Sequence, residues 1–215
     1  MLVSAILASH MPDEEEHSPI VVTPEKSEKG DFWQFSAELI KTALVVAVLA
    51  YVIRLFVIQP FIVDGSSMFP RFQTNDYLLV DKVSYRFHTP NRGDIVVFKY
   101  PLDTSVNYVK RIIGLPGETV RIQNGTVSIL SGNQAQGTSL TEPYINGGAK
   151  TLLPSEAAQA DFVVPTGHYF VLGDNRPASS DSREWGLLPQ EDIIGKVIVQ
   201  AYPLSRLHVV SAQTY

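Results

Sequence analysis

The chain has 215 residues, 45% of them hydrophobic and 10% aromatic, enough for one sizeable core or two small ones. Its formal charge of −5 is lopsided: residues 1–40 hold eight acids and two lysines, so the rest is nearly neutral and offers no basic field for a nucleic acid. With no cysteine, disulfides and thiolate metal sites are excluded; His10, His17, His88, His168 and His208 include no close pair on one helix face, so neither a metal nor a cofactor is expected.

Residues 1–38, with Asp-Glu-Glu-Glu at 13–16, read as an acidic, flexible tail to which no function attaches. Leu39 to Ile58 follows as a 20-residue apolar stretch broken only by Lys41 and Arg54, and as a helix it is about 30 Å long, the thickness of a hydrocarbon core. Phe32, Trp33 and Phe35 before it, and Tyr51 and Phe56 near its end, are suited to the interface, where Arg54 can snorkel outward. The alternative is the buried helix of a soluble domain. A cleaved signal is disfavoured because the run begins late and no small-x-small pair follows before Gly65. The expectation is therefore a single-pass signal anchor at 39–58. Lys26, Lys29 and Lys41 before or at the start of the span, against Arg71 alone within twenty residues after it, favour a cytoplasmic N-terminus and an extracytoplasmic body.

The body, 59–215, changes to short runs rich in Val, Ile, Phe and Tyr: FIVDG, DYLLVDKVSYRF, RGDIVVFKYP, NYVKRIIGLPG, ETVRIQNGTVSIL, HYFVLGDN and GKVIVQAYPL. Turn signals such as Leu-Pro-Gly, Asn-Gly and Gly-Asp-Asn separate them, which predicts antiparallel strands and hairpins. The stretch at about 131–165 is richer in Gly, Gln, Ser and Ala and reads as an inserted excursion, with a short helix around Ser155 to Ala160.

The stretch VDGSSMFP, Val63 to Pro70, holds two adjacent serines. By itself it is turn chemistry. A serine becomes a nucleophile only beside a base, and no histidine lies near any Gly/Ser motif here. The remaining option is a lysine kept neutral by burial, which NYVKRIIGLPG offers in Lys110; on a strand Lys110 shares a face with Tyr108 and Ile112 while Arg111 points the other way. Such a base needs its pKa lowered by several units from about 10.4, a shift that full burial supplies.

SSMFP, RGDIVVFKYP, YVKRIIGLPGE and GDNRPASSDSREWG, in this order after an apolar span and together covering Ser66 to Gly186, resemble the successive motif blocks of bacterial type I signal peptidases. The resemblance implies a membrane-anchored Ser-Lys endopeptidase with a strongly twisted, mainly β, antiparallel catalytic domain that removes signal peptides from exported preproteins. It maps the nucleophile to Ser67 rather than Ser66, the general base to Lys110, a lysine-orienting serine to Ser179 and structural support to Asp181 and Arg183. Two positions depart from the pattern: Gly65 stands where some members have a serine whose hydroxyl helps hold the oxyanion, and Arg71 stands where threonine is common. The oxyanion is thus assigned to the Ser67 backbone N–H, with Gly65 beside it. Asp174 and Asn175 read as turn and capping residues, and Trp185 as packing.

The preprotein is expected to lie extended along exposed edges at 61–66 and 106–109, with small side chains entering pockets lined by Val63, Met68, Phe72, Tyr108 and Val109. The expected partners are preprotein signal peptides and the lipid bilayer of the plasma membrane. Retention of both Ser67 and Lys110 argues against a catalytically silent anchored β-domain that only binds extended peptides. A self-cleaving repressor would need a DNA-binding N-terminus. A penicillin-binding enzyme would need Ser-x-x-Lys, where Pro70 stands three residues after Ser67.

Overall fold

The computed structural model describes residues 28–131, 137–154, 157 and 159–215. The acidic run at 13–16 and the side chain of Arg54 lie outside the described residues, as do positions 155, 156 and 158 of the short helix expected at 155–160. Residues 159 and 160 open a strand instead.

Helix α1 runs from Glu28 to Phe56, 29 residues. It starts earlier than the apolar run because Gln34, Ala37, Glu38 and Leu39 are strong helix formers that extend it toward the N-terminus. Within it Phe32–Ile53 forms a 22-residue span of mean hydropathy 1.9, none of it buried. Leu39, Ile40, Leu44, Val45, Val48, Leu49 and Val52 are all exposed. Among the described residues none of this apolar span is buried, and at about 33 Å it is long enough to cross a bilayer.

The body is built from two antiparallel sheets. The larger has the order β1 (Ile58–Ile62), β2 (Tyr77–Asp81), β11 (Ile193–Tyr202), β3 (Ile95–Tyr100), β4 (Asp103–Gly114), β9 (His168–Leu172), β10 (Leu188–Pro189), with β12 (His208–Val209) added on β11. The smaller has the order β7 (Thr138–Ser139), β6 (Thr126–Ser131), β5 (Glu118–Gln123), β8 (Gln159–Val163). β5 and β6 are joined by Asn124 and Gly125 with φ of 52° and 83°, the left-handed pair that a two-residue hairpin loop requires. The second half of DYLLVDKVSYRF is not strand: Ser84–Phe87 forms a one-turn helix, α2, because the Asp81 carboxylate accepts the N–H groups of Val83 and Ser84 at 2.8 and 3.0 Å and turns the chain.

β4 determines where the site lies. β3 pairs it from Asp103 to Arg111, with a register shift between Lys99 and Tyr100, whereas β9 joins its other side only from Arg111 onward. Its burial follows: residues 103–107 are exposed and Lys110 to Gly114 are buried. The free flank of 103–109 and the terminal strand β1 leave two unpaired backbone edges. Beneath them Val63, Met68, Phe72, Leu78, Val80, Ile95, Val97 and Val197 form one core, while Ile113, Val120, Ile122, Val127, Phe170 and Leu172 form another at the smaller sheet.

Candidate active site

The serine-bearing loop between β1 and β2 is closed at its base by Val63 and its partners: the Val63 N–H donates to Asp76 O at 2.9 Å and the Asn75 N–H to Val63 O at 2.8 Å. Its apolar side chains, Val63, Met68 and Phe72, point into the core and pin it from below. Gly65 takes φ of 109°, and its N–H donates to Thr74 Oγ1 at 3.1 Å. From the other side the turn after β9 reaches in. The Asn175 N–H donates to Ser67 O and its Nδ2 to Ser66 O, both at 3.0 Å. Gly173 makes this approach possible, since a Cβ there would lie 2.5 Å from Ser67 O and also against Ser179 Oγ.

Lys110 is 3% exposed, and its Nζ lies 2.9 Å from Ser67 Oγ and 3.1 Å from Val109 O. The amine sits 4.9 Å from the centroid of the Tyr108 ring, on the face shared along the strand. Burial lowers its pKa from 10.5 to about 8, against the pull of the Asp181 and then the Asp174 carboxylates, which raise it. A neutral amine is therefore accessible near physiological pH, with its lone pair within reach of a hydroxyl proton.

Its neighbour Arg111 does point the other way and is also buried. Nε and Nη2 grip the two Asp174 oxygens at 2.8 and 2.6 Å, Nη1 donates to Gly93 O at 3.0 Å, and the guanidinium lies 4.0 Å from the Tyr144 ring centroid. Asn175 caps the helical turn at 176–178, its carbonyl accepting the Ala178 N–H at 3.0 Å, but the turn-and-cap reading is incomplete: Asp174 is also a buried counter-ion and Asn175 also braces the serine loop. The low dielectric makes the bidentate pair strong once formed and costly to break.

Asp181 accepts the Gly173 N–H at 3.0 Å, accepts the Arg183 N–H at the start of α3 (Ser182–Trp185), and pairs with Arg183 Nε at 2.7 Å. The Arg183 guanidinium in turn donates to the carbonyls of Leu152, Arg176 and Ser179. Ser179 is 8% exposed and packs against Gly173, yet its Oγ has no hydrogen-bond partner and makes none with Lys110. Trp185 packs against Phe98 and Tyr100, away from Ser67.

A groove of about 570 Å³ runs between the chain segments 61–67 and 105–110, with Ser67 and Lys110 in its lining. Val63, Tyr108 and Val109 are in its lining, joined by Ile62, Leu78 and Val97. Met68 and Phe72 do not: they are 1% and 0% exposed and belong to the core. The turn that aims the Ser67 side chain into the groove sends its successor Met68 inward, and the Phe72 N–H bonded to Met68 O at 2.9 Å places Phe72 below it.

Arg176 is a further residue missed in the sequence. Its buried guanidinium binds Glu142 at 3.0 and 2.5 Å, Thr151 Oγ1, and Gly173 O at 3.1 Å, tying the excursion to the turn that braces Ser67. The available signal was the occurrence of arginines beside conspicuous motif residues, at 111 and 176, whose counter-ions are distant in sequence.

A profile of the family described as "Signal peptidase, peptidase S26" matches residues 36–202. A Synechocystis protein called probable signal peptidase I-1 is 40% identical over 190 residues, covering 85% of this chain and 91% of that protein. A Leptolyngbya laminosa signal peptidase I is 40% identical over 178 residues, covering 79% and 81%. A crystal structure of a signal peptidase I from Enterococcus faecalis V583 is 37% identical, with a TM-score of 0.41 over 51% of this chain and 97% of that one.

Proposed function

Because the chain belongs to the signal peptidase family, peptidase S26, we propose that it removes signal peptides from exported preproteins with Ser67 as nucleophile and Lys110 as general base. The observation that carries the assignment is the 2.9 Å approach of a buried amine, its pKa lowered to about 8, to a hydroxyl in the lining of a groove. As a serine endopeptidase it works in two half-reactions. Neutral Lys110 takes the Ser67 proton as Oγ attacks the scissile carbonyl, and the Ser67 backbone N–H donates to the oxyanion. The lysine then protonates the departing amine, and later takes a proton from the water that releases the acyl group.

The substrate main chain adds to the two open backbone edges, and the narrow apolar lining of Val63, Leu78, Val97 and Val109 selects small side chains beside the cut. The apolar helix α1 anchors the protein in the membrane, with the N-terminus cytoplasmic and the body extracytoplasmic; this confines enzyme and tethered preprotein to one surface and raises their effective concentration. In this reading Asp181 and Arg183 support the turn that carries Ser179. The test is cleavage of a preprotein by the purified full chain, alongside Ser67→Ala and Lys110→Ala. Cleavage by either variant at the parent rate overturns the assignment.

A further inference from the structure

Arg71, four residues after Ser67, lines a second cleft of about 580 Å³ together with Tyr144, Gln200, Arg206, Leu207 and His208. This cleft shares no lining residue with the groove that holds Ser67. Its polar lining is unsatisfied: Arg71 Nε, Arg206 Nη1, His208 Nε2 and Gln200 Oε1 are all shielded from solvent without a hydrogen-bond partner. Desolvated polar atoms of this kind destabilise a fold unless something pairs with them.

The charge is also one-sided. The Asp76 carboxylate holds Arg206 Nη2 at 2.5 Å and Gln200 Nε2 at 2.8 Å, so it compensates one cation and leaves Arg71 unanswered. Burial lowers the pKa of Arg71, Arg111 lowers it further by repulsion, and Asp174 offsets this only in part. His208 Nδ1 lies 2.8 Å from Arg206 O, to which it donates, which leaves Nε2 as the ring nitrogen without a partner. The lining also carries the exposed Leu207, and its chain neighbours Leu204 and Val209 are exposed by 75 and 73%.

We propose that this cleft binds an oxyanion of the phosphate class, held by the Arg71 guanidinium and Arg206 Nη1, with the His208 ring beside them. A planar guanidinium and a second cation match a phosphate with several acceptor oxygens, and Gln200 Oε1 is placed to accept from a hydroxyl of the same ligand. The phosphate is free, or it belongs to a lipid headgroup whose acyl chains meet the exposed Leu204, Leu207 and Val209.

The test is thermal unfolding of the full chain in a non-ionic maltoside detergent, titrated at constant ionic strength with inorganic phosphate or with dihexanoyl phosphatidic acid. Sodium chloride and dihexanoylglycerol are the respective controls. The expected result is a saturable rise in Tm with at least one phosphate probe and neither control, with affinity about tenfold weaker in Arg71→Gln and in His208→Ala. A response to inorganic phosphate assigns a free anion; a response to the lipid alone assigns a headgroup. No saturable rise in the parent with either probe, or equal affinities in parent and folded variants, overturns the proposal.

Discussion

Asn175 holds Ser67 from behind with two hydrogen bonds, its N–H to Ser67 O and its Nδ2 to the preceding carbonyl of Ser66, each 3.0 Å long. The peptide units of Ser66 and Ser67 are therefore fixed by a turn more than a hundred residues downstream. The same turn is fixed by Arg111 through Asp174, and Arg111 is adjacent to Lys110 on β4. Lys110 and Ser67 thus share one rigid reference frame, with Nζ 2.9 Å from Oγ.

Asn175→Ala is expected to keep the fold and lower kcat by about tenfold with little change in KM, since a small displacement of Oγ penalises the reaction more than substrate binding. The lost hydrogen bond costs about 1 kcal/mol of stability, which a thermal melt reads as a few degrees. Asn175→Asp should do worse in both assays, because a carboxylate would face the Ser66 carbonyl that Nδ2 now satisfies. Wild-type kcat in both variants would remove Asn175 from any positioning role.

For Lys110, kcat/KM is expected to rise with pH through a single acidic limb near 8 and then level off, because the amine must be neutral to act. Lys110→Arg should be inactive throughout the range, since guanidinium does not lose its proton there. Stability follows the same ionisation. Between about 8 and 10.5 the unfolded chain binds more protons at this position than the folded one, so stability rises with pH across that window. Below about 8 folding must bury the ammonium, a cost of about 3 kcal/mol relative to the neutral form. Lys110→Met should flatten that part of the stability profile, and an unchanged slope would show that the lysine is not the titrating group.

Strands at 95–100, 118–123 and 126–131, and 103–114 from Asn107 onward, are legible in the sequence because each has β-branched or aromatic residues bounded by turn signals, and the Asn124-Gly125 hairpin declares itself. Ser67 and Lys110 are legible through the motif blocks around them, although nothing local places them in contact. What escaped is long-range. The partners of Arg111 and Arg176 lie at Asp174 and Glu142, a pairing that no spacing rule encodes. Met68 and Phe72 misled because an apolar residue next to a nucleophile reads equally as pocket wall or as core. Only the direction of the loop decides that it is core.

The Gly65 backbone decides a question its sequence left open. A Cβ there would meet nothing within 4 Å, but φ of 109° is a conformation that L side chains rarely adopt. Gly65→Ser is therefore expected to lose about 1 kcal/mol of stability and to leave kcat at or below the parent value, since relieving the strain shifts the Gly65 N–H away from Thr74 Oγ1. This reverses the outcome expected if the position accepted a serine freely. A rise in kcat with unchanged Tm would show that the loop accommodates the hydroxyl and that it reaches the oxyanion.

The Arg111–Asp174 pair gives the sharpest separation between stability and chemistry. Both side chains are nearly inaccessible, at 4 and 1%, so removing one leaves the other as an uncompensated buried charge. Arg111→Met and Asp174→Leu are each expected to cost about 3–5 kcal/mol in chemical denaturation, whereas the double variant should recover much of that loss because no charge remains buried. Activity should not recover in parallel. The apolar pair no longer fixes the turn that carries Asn175, and removal of Asp174 also takes away a carboxylate that raises the Lys110 pKa. The acidic limb of kcat/KM in the double variant should accordingly move below its parent position near 8, while kcat stays reduced. Additive losses in the double variant would instead mean that the two residues stabilise the fold through separate contacts, such as Arg111 with Gly93 O and the Tyr144 ring, rather than through each other.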